Sequence, residues 1–438
     1  MKRDIYKLLI KWKNDEYRRP LLIRGARQVG KTYVINQFGH DEFETFIDLN
    51  FEKNPEYKDI FKSLDPDIII ENISLFTGMK IEPGRTLLFL DEVQECPAAI
   101  MALRYFYEEK HLLHVIAAGS LLEFTIQSQG FKMPVGRVQY LFLFPLSFGE
   151  FLDALGEVAL RKHILDIENL KTLPDALHHK LNDYIKKYFV LGGMPLVISQ
   201  YIRNRDIIQC QRIQQSIIDT YLDDFGKYAR QIRHQYLNKI FNAVPTMVGQ
   251  KFKYSKVDNT IRSRELKRAL ELLEMAGIVR KIKRTSGAGI PLEAGVKELH
   301  FKMLFMDIGL LHAVNKIYLD TTQAKDLNNL FKGAVAEQFV GQELISCQDT
   351  YTKPGLYYWA REAKNSNAEI DFLIQKNSTL LPIEVKSGAV GKMKSLFMFL
   401  DKYKSNQGFK ISQAPFSEDK MILCLPFYAI ETFIRSGK

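Results

Sequence analysis

Residues 25–32 read GARQVGKT, the pattern GxxxxGK[ST] without a mismatch. Its chemistry is anion binding. Gly25 and Gly30 let the backbone turn tightly with no side chain in the way. Amides along Gly25, Ala26, Arg27, Gln28, Val29, Gly30, Lys31, Thr32 and Tyr33 can then line a phosphate nest, and the start of a following helix adds positive potential. Lys31 would neutralise β- and γ-phosphates, and the Thr32 hydroxyl would ligate Mg2+. A second constellation, LLFLDE at residues 87–92, delivers Asp91 and Glu92 to the tip of an apolar strand. There Asp91 can hold magnesium and Glu92 can act as general base on the attacking water. Ser120 ends the next apolar strand, VIAAGS, where its hydroxyl would position water or the γ-phosphate, or would instead cap a helix with Glu123 as partner. Arg137, in a PVGR turn, is either a surface arginine or one that reaches the γ-phosphate of a neighbouring subunit in a homo-oligomer. His114 and Cys96 read as structural.

A second set of chemical groups lies towards the C-terminus. Asp371 sits in AEIDFLI, and Glu384 and Lys386 sit in PIEVKSG. On a strand, residues two apart face the same side, so Glu384 and Lys386 project together. If the two segments pair as a hairpin, Asp371 lies beside Glu384. Two such carboxylates repel unless a cation sits between them, and a nearby lysine can orient water. Glu337, in GAVAEQFV, would supply a third carboxylate, and Glu369 shares the face of Asp371. The same trio also arises from salt bridging on an edge strand, so spacing leaves both readings open.

The elements that position these groups follow from periodicity. Short apolar runs at 19–25, 46–49, 86–90 and 114–118 alternate with helical patterns at 31–38, 55–61, 66–76 and 98–109. That alternation describes a parallel α/β sheet covered on both faces. Helical periodicity then dominates 175–199, 207–231, 236–249 and 263–276, and the basic run GIVRKIKR follows at 277–284. The order suggests a winged helix with a basic β-wing and a glycine-rich wing loop at 287–295. A plain helical connector is the alternative. Beyond residue 325 come a helix at 333–346, strands at 355–358, 368–374, 379–386 and 421–426, and a helix at 393–403, the pattern of a mixed α/β domain. The expected domains are 1–155 (P-loop), 156–235 (helical linker or lid), 236–310 (winged-helix-like) and 325–438.

Charge points to a partner. The net charge is +10, and residues 201–300 hold 19 Lys and Arg against 10 Asp and Glu, a local +9. A basic excess concentrated in this way suggests nucleic acid, DNA first, or else simply a solvated basic surface. Four dispersed cysteines with no CxxC pair argue against a disulfide framework or structural zinc. The opening MKRDIYKLLIKW carries charges within its apolar run, so no signal peptide or membrane span is expected, and a cytoplasmic setting is.

Taken together, LLIRGARQVGKT (21–32), LLFLDEVQ (87–94), AAGSLL (117–122), GRVQYLFLFPLSFGEFL (136–152), YFVLGGMPLVI (188–198), KGAVAEQFVGQEL (332–344), AEIDFLI (368–374) and IEVKSG (383–388) resemble one family over nearly the whole chain. It is the group of prokaryotic ATPases that join an AAA+-type N-terminal domain to a C-terminal domain of uncharacterised function with a restriction-endonuclease-like core. The resemblance implies ATP as the nucleotide, on Lys31, Thr32, Asp91 and Glu92. It also maps the nuclease-like residues onto Glu337, Asp371, Glu384 and Lys386. The expected function is Mg-dependent ATP binding and hydrolysis coupled to DNA association through the wing at Lys281, Lys283 and Arg284. The alternatives are an ATP-dependent nuclease and a nucleotide-gated switch or scaffold for a protein partner.

Overall fold

The computed structural model describes residues 1–120, 122, 134, 136–228, 234–317, 333–362, 368–376, 378–388 and 393–435. The chain divides into two compact units. One comprises Lys2–Phe144 with Asp349–Lys353, and the other Pro145–Gln348 with Pro354–Lys438.

The first unit is built on five strands: β1 (Leu21–Arg24), β2 (Thr45–Asn50), β3 (Thr86–Asp91), β4 (His114–Gly119) and β5 (Gln139–Phe142). They are all parallel, in the order β2-β3-β4-β1-β5. Every residue of β3 and β4 is buried, as continuous apolar runs require when helices cover both faces of a sheet. Leu22, Leu88, Leu90, Phe61, Ile100 and Phe106 share one core cluster. Each such side chain contributes about 1.5–3 kcal/mol by leaving water. The covering helices start and stop on local signals. Asp65 caps Pro66–Thr77 by accepting from the Asp67 and Ile68 amides, and Gly78 ends it in the left-handed region at φ 68°. Pro97 opens Pro97–Glu109. At the edge, the Phe142 amide donates to the Thr350 carbonyl, which ties residues 349–353 to this unit.

The chain leaves β1, crosses to the far edge at β2, then returns through β3 and β4. That reversal leaves the tips of β1, β4 and β3 side by side, where open α/β sheets gather ligands.

The second unit opens with helices. The periodicity expected over 175–199 is broken into Asp175–Leu191 and Pro195–Asn204. Gly192 turns there at φ 69°, and a Cβ on it would lie 2.1 Å from Asp307 Oδ1. The adjacent Gly193 amide donates to Asp307 Oδ2 at 2.6 Å. Helices Ile207–Tyr228, His234–Met247, Tyr254–Val257 and Ser263–Met275 follow, then strands β6 (Val279–Thr285) and β7 (Val296–Phe305) as an antiparallel pair.

β6 also pairs in parallel with β8 (Leu356–Ala360). An eight-stranded mixed sheet results, completed by β9 (Glu369–Lys376), β10 (Thr379–Val385), β11 (Gly408–Ser412), β12 (Ser417–Asp419) and β13 (Ile422–Pro426). Its order is β12-β13-β11-β10-β9-β8-β6-β7. The segments 236–310 and 325–438, expected as separate domains, therefore contribute strands to one sheet. β7, β11 and β12 were not expected as strands.

Candidate functional site

The phosphate-binding loop runs from the tip of β1 into the helix Lys31–Glu42. Gly30 precedes that helix at φ 93°, and Gln28 also stands in the left-handed region at φ 62°. At Gly25 the constraint is close approach: a Cβ would lie 2.3 Å from the Leu143 carbonyl oxygen. Arg3 braces the loop from behind, donating to the carbonyls of Val29 at 2.9 Å and Phe144 at 2.8 Å.

Lys31 is buried and its ammonium donates to the carbonyls of Gly25 (3.0 Å) and Ala26 (2.9 Å). Burial pushes its pKa down to about 8; Glu92 and Asp91 oppose the shift, and Arg27 adds to it. Thr32 Oγ1 donates to Asp91 Oδ2 at 3.0 Å, so two oxygen donors suited to a hard cation already converge. Asp91 also accepts from Asn50 Nδ2 (3.0 Å) and from the Glu92 amide (3.0 Å). Its pKa is raised, first by burial and then by the charge of Glu92. Glu92 stands at φ 50°, and Gln94 Nε2 donates to its Oε2 at 2.7 Å.

Ser120, at the tip of β4, is buried, and its Oγ accepts from Arg27 Nε at 3.3 Å. Strand order puts Ser120 between the loop after β1 and the acids after β3. Its proposed capping partner Glu123 lies outside the described residues. Tyr33 is exposed beside the loop. Arg137 is engaged by Glu108 on its own unit, Nε to Oε1 at 2.8 Å.

Sequence reasoning missed four contributors. Asn50 carried a signal, being the polar end of an apolar strand whose register places it opposite Asp91. Gln94 could have been noted as an amide two residues beyond Glu92. Lys302 is a lone lysine inside the apolar run FKMLFM at 301–306. Arg3 carried no signal.

In the second unit, β9 and β10 do pair as an antiparallel hairpin, with Phe372 opposite Ile383. The next step along brings Asp371 beside Glu384, and Asp371 Oδ2 accepts from the Val385 amide at 2.8 Å. Lys386 Nζ donates to Glu384 Oε1 at 2.5 Å. Glu337 joins the same cluster from the helix Gly333–Cys347, but through a lysine: Lys302 Nζ lies 3.1 Å from Glu337 Oε2, 2.6 Å from Glu369 Oε1 and 3.7 Å from Asp371 Oδ1. Burial raises the pKa of Glu337, Asp371 and Glu384 alike. Burial alone would lower that of Lys302, but Glu337, Asp371 and Glu369 outweigh it and hold the ammonium charged. Among the described residues, no group of three or more His, Cys, Asp or Glu side chains is arranged to hold a metal ion.

The expected wing cations are committed elsewhere. Lys281 pairs with Glu274 at 2.7 Å, Lys283 with Glu298 at 3.1 Å, and Arg284 donates to the Ala360 carbonyl at 2.9 Å.

Residues 17–152 match a family described as AAA domain. Those residues form an AAA-type P-loop domain. Residues 182–322 and 332–428 match two families described as domains of unknown function, DUF8612 and DUF4143. Among solved structures the chain is similar to the Walker-type ATPase of Pyrococcus abyssi, at 15% identity and TM-score 0.45, over 72% of this chain and 95% of that one. It is also similar to the ORC2 protein of Aeropyrum pernix, at 11% identity and TM-score 0.36, over 74% of this chain and 95% of that one. A third is the RuvB Holliday junction branch migration motor of Thermotoga maritima, at 13% identity and TM-score 0.28, over 63% and 87%. No curated protein matches the chain. Among the described residues, no helix is long and apolar enough to cross a membrane.

Proposed function

We propose that the P-loop unit binds ATP with magnesium and hydrolyses it, and that turnover is coupled to association of the second unit with DNA. The observation that carries the ATPase reading is the meeting of Thr32 Oγ1 and Asp91 Oδ2 at 3.0 Å, beside Lys31 and Glu92. Loop amides from Gly25 to Thr32 bind the phosphates, and Lys31 exchanges two neutral carbonyl acceptors for anionic oxygens, which form stronger hydrogen bonds. Thr32 and Asp91 would hold Mg2+, which supplies positive charge next to the phosphates. Glu92 accepts the proton of the attacking water, and Gln94 orients its carboxylate. Ser120, tethered to Arg27, senses the γ-phosphate.

The DNA reading rests on the helix Ser263–Met275 and the residue before it rather than on the wing. Leu266, Ala269, Leu270 and Leu273 bury one face of that helix, while Arg262, Arg264, Lys267 and Arg268 stand exposed. A helix that follows a short helix and precedes a β-hairpin, with cations along its first turns, suits contact with a phosphate backbone. The test is phosphate release with ATP and GTP, with and without duplex DNA. Wild type should turn over ATP faster with DNA, and Lys31→Ala should lose nucleotide affinity. Equal ATP affinity in wild type and Lys31→Ala would refute the site assignment.

A further inference from the structure

A restriction-endonuclease-like core implies a divalent cation held by Glu337, Asp371 and Glu384. The residues present do not fit one. The position on which Glu337, Glu369 and Asp371 converge is filled by the ammonium of Lys302, within 3.1, 2.6 and 3.7 Å of their oxygens. We propose that Lys302 is a permanent internal counter-ion that takes up two of the three acids such a cation would need, Glu337 and Asp371, so that the second unit holds no catalytic metal and does not cut nucleic acid.

Three observations hold the ammonium there. Lys302 is 1% exposed. Its backbone is pinned on two sides, opposite Ile282 in β6 and in an isolated bridge with Lys251. Its charge stands over the Tyr358 ring, 5.5 Å from the centroid, a second favourable contact for a cation. A buried side chain paired at its tip would have to leave three carboxylates and turn through a packed interior to admit a metal. A divalent ion among the same oxygens would also face the charge of Lys302 at close range, in a setting that screens poorly. Lys386 takes up Glu384 Oε1 in the same way, while Glu384 Oε2, buried, makes no hydrogen bond. That oxygen, together with those that removing Lys302 would release, supplies the ligands for a metal in the lysine's absence.

The inference is independent of the ATPase reading. Its test counts Mn2+ bound by the full chain without nucleotide, in an Asp91→Asn background that removes the P-loop acid. With Lys302 present, Asp371 and Asp371→Asn forms should bind the same number of ions, and neither should nick plasmid DNA above the other. K302M should gain one Mn2+, bound at least tenfold more tightly than any in the parent, and lose it again when combined with Asp371→Asn. A parent that loses one Mn2+ on Asp371→Asn overturns the proposal, and this comparison holds even if K302M fails to fold. A folded K302M with no added ion overturns it as well.

Discussion

Lys31 offers a sharp test of the phosphate site, because its ordinary and site-specific pKa values bracket an accessible pH range. Burial lowers it from 10.5 to about 8. Bound triphosphate would raise it again, since its charge favours the ammonium. Nucleotide binding should therefore take up a proton wherever the free protein has lost one. Below pH 8 the lysine is already charged and affinity should be flat. Above it, each further pH unit removes about tenfold of the charged form, equivalent to about 1.4 kcal/mol. The Kd for ATP should thus rise roughly tenfold between pH 7 and 9, and approach about a hundredfold by pH 10, in inverse proportion to the charged fraction. Calorimetry in two buffers of different ionisation enthalpy, at pH 7 and 9, measures both the affinity and the proton. Less than a twofold change in Kd between pH 7 and 9, with no proton uptake at pH 9, would refute the assignment of Lys31 as a buried phosphate ligand. Lys31→Met should bind weakly with a flat profile, which separates this lysine from other groups that titrate.

Glu92→Gln should retain ATP affinity while turnover falls about 10²–10⁴-fold, measured by single-turnover phosphate release; an unchanged rate would remove Glu92 as base. Alanine at Arg262, Arg264 and Arg268 should lower the slope of log affinity for DNA against log salt by about 3, one for each phosphate no longer neutralised, whereas alanine at Lys281 and Lys283 should leave it unchanged. Arg161 is buried between Asp153 (2.6 Å) and Glu431 (2.5 Å), so Arg161→Met leaves Glu431 buried with less charge compensation. That change should cost about 3–5 kcal/mol in denaturant unfolding, and a loss under about 1 kcal/mol would show the pair to be dispensable.

What the sequence by itself determined is local. The loop from Gly25 to Thr32, the apolar strand that delivers Asp91 and Glu92, and the helix start at Pro66 all follow from neighbours a few residues apart. The pairing of Asp371 with Glu384 was legible for the same reason, because a short connection leaves β9 and β10 one antiparallel register in which the two acids meet. What only the tertiary structure decided involves residues distant along the chain and bound by no periodicity. The parallel pairing of β6 with β8 merges two expected domains into one sheet. The same arrangement carries Lys302 into a carboxylate cluster drawn from the helix Gly333–Cys347 and from β9, turning an expected metal position into an ion pair. Lys281 and Lys283, which count as free charge in composition, are spent on Glu274 and Glu298. A side chain's type sets what it can bind, but its partner is chosen by burial, since a buried charge must find its opposite within reach.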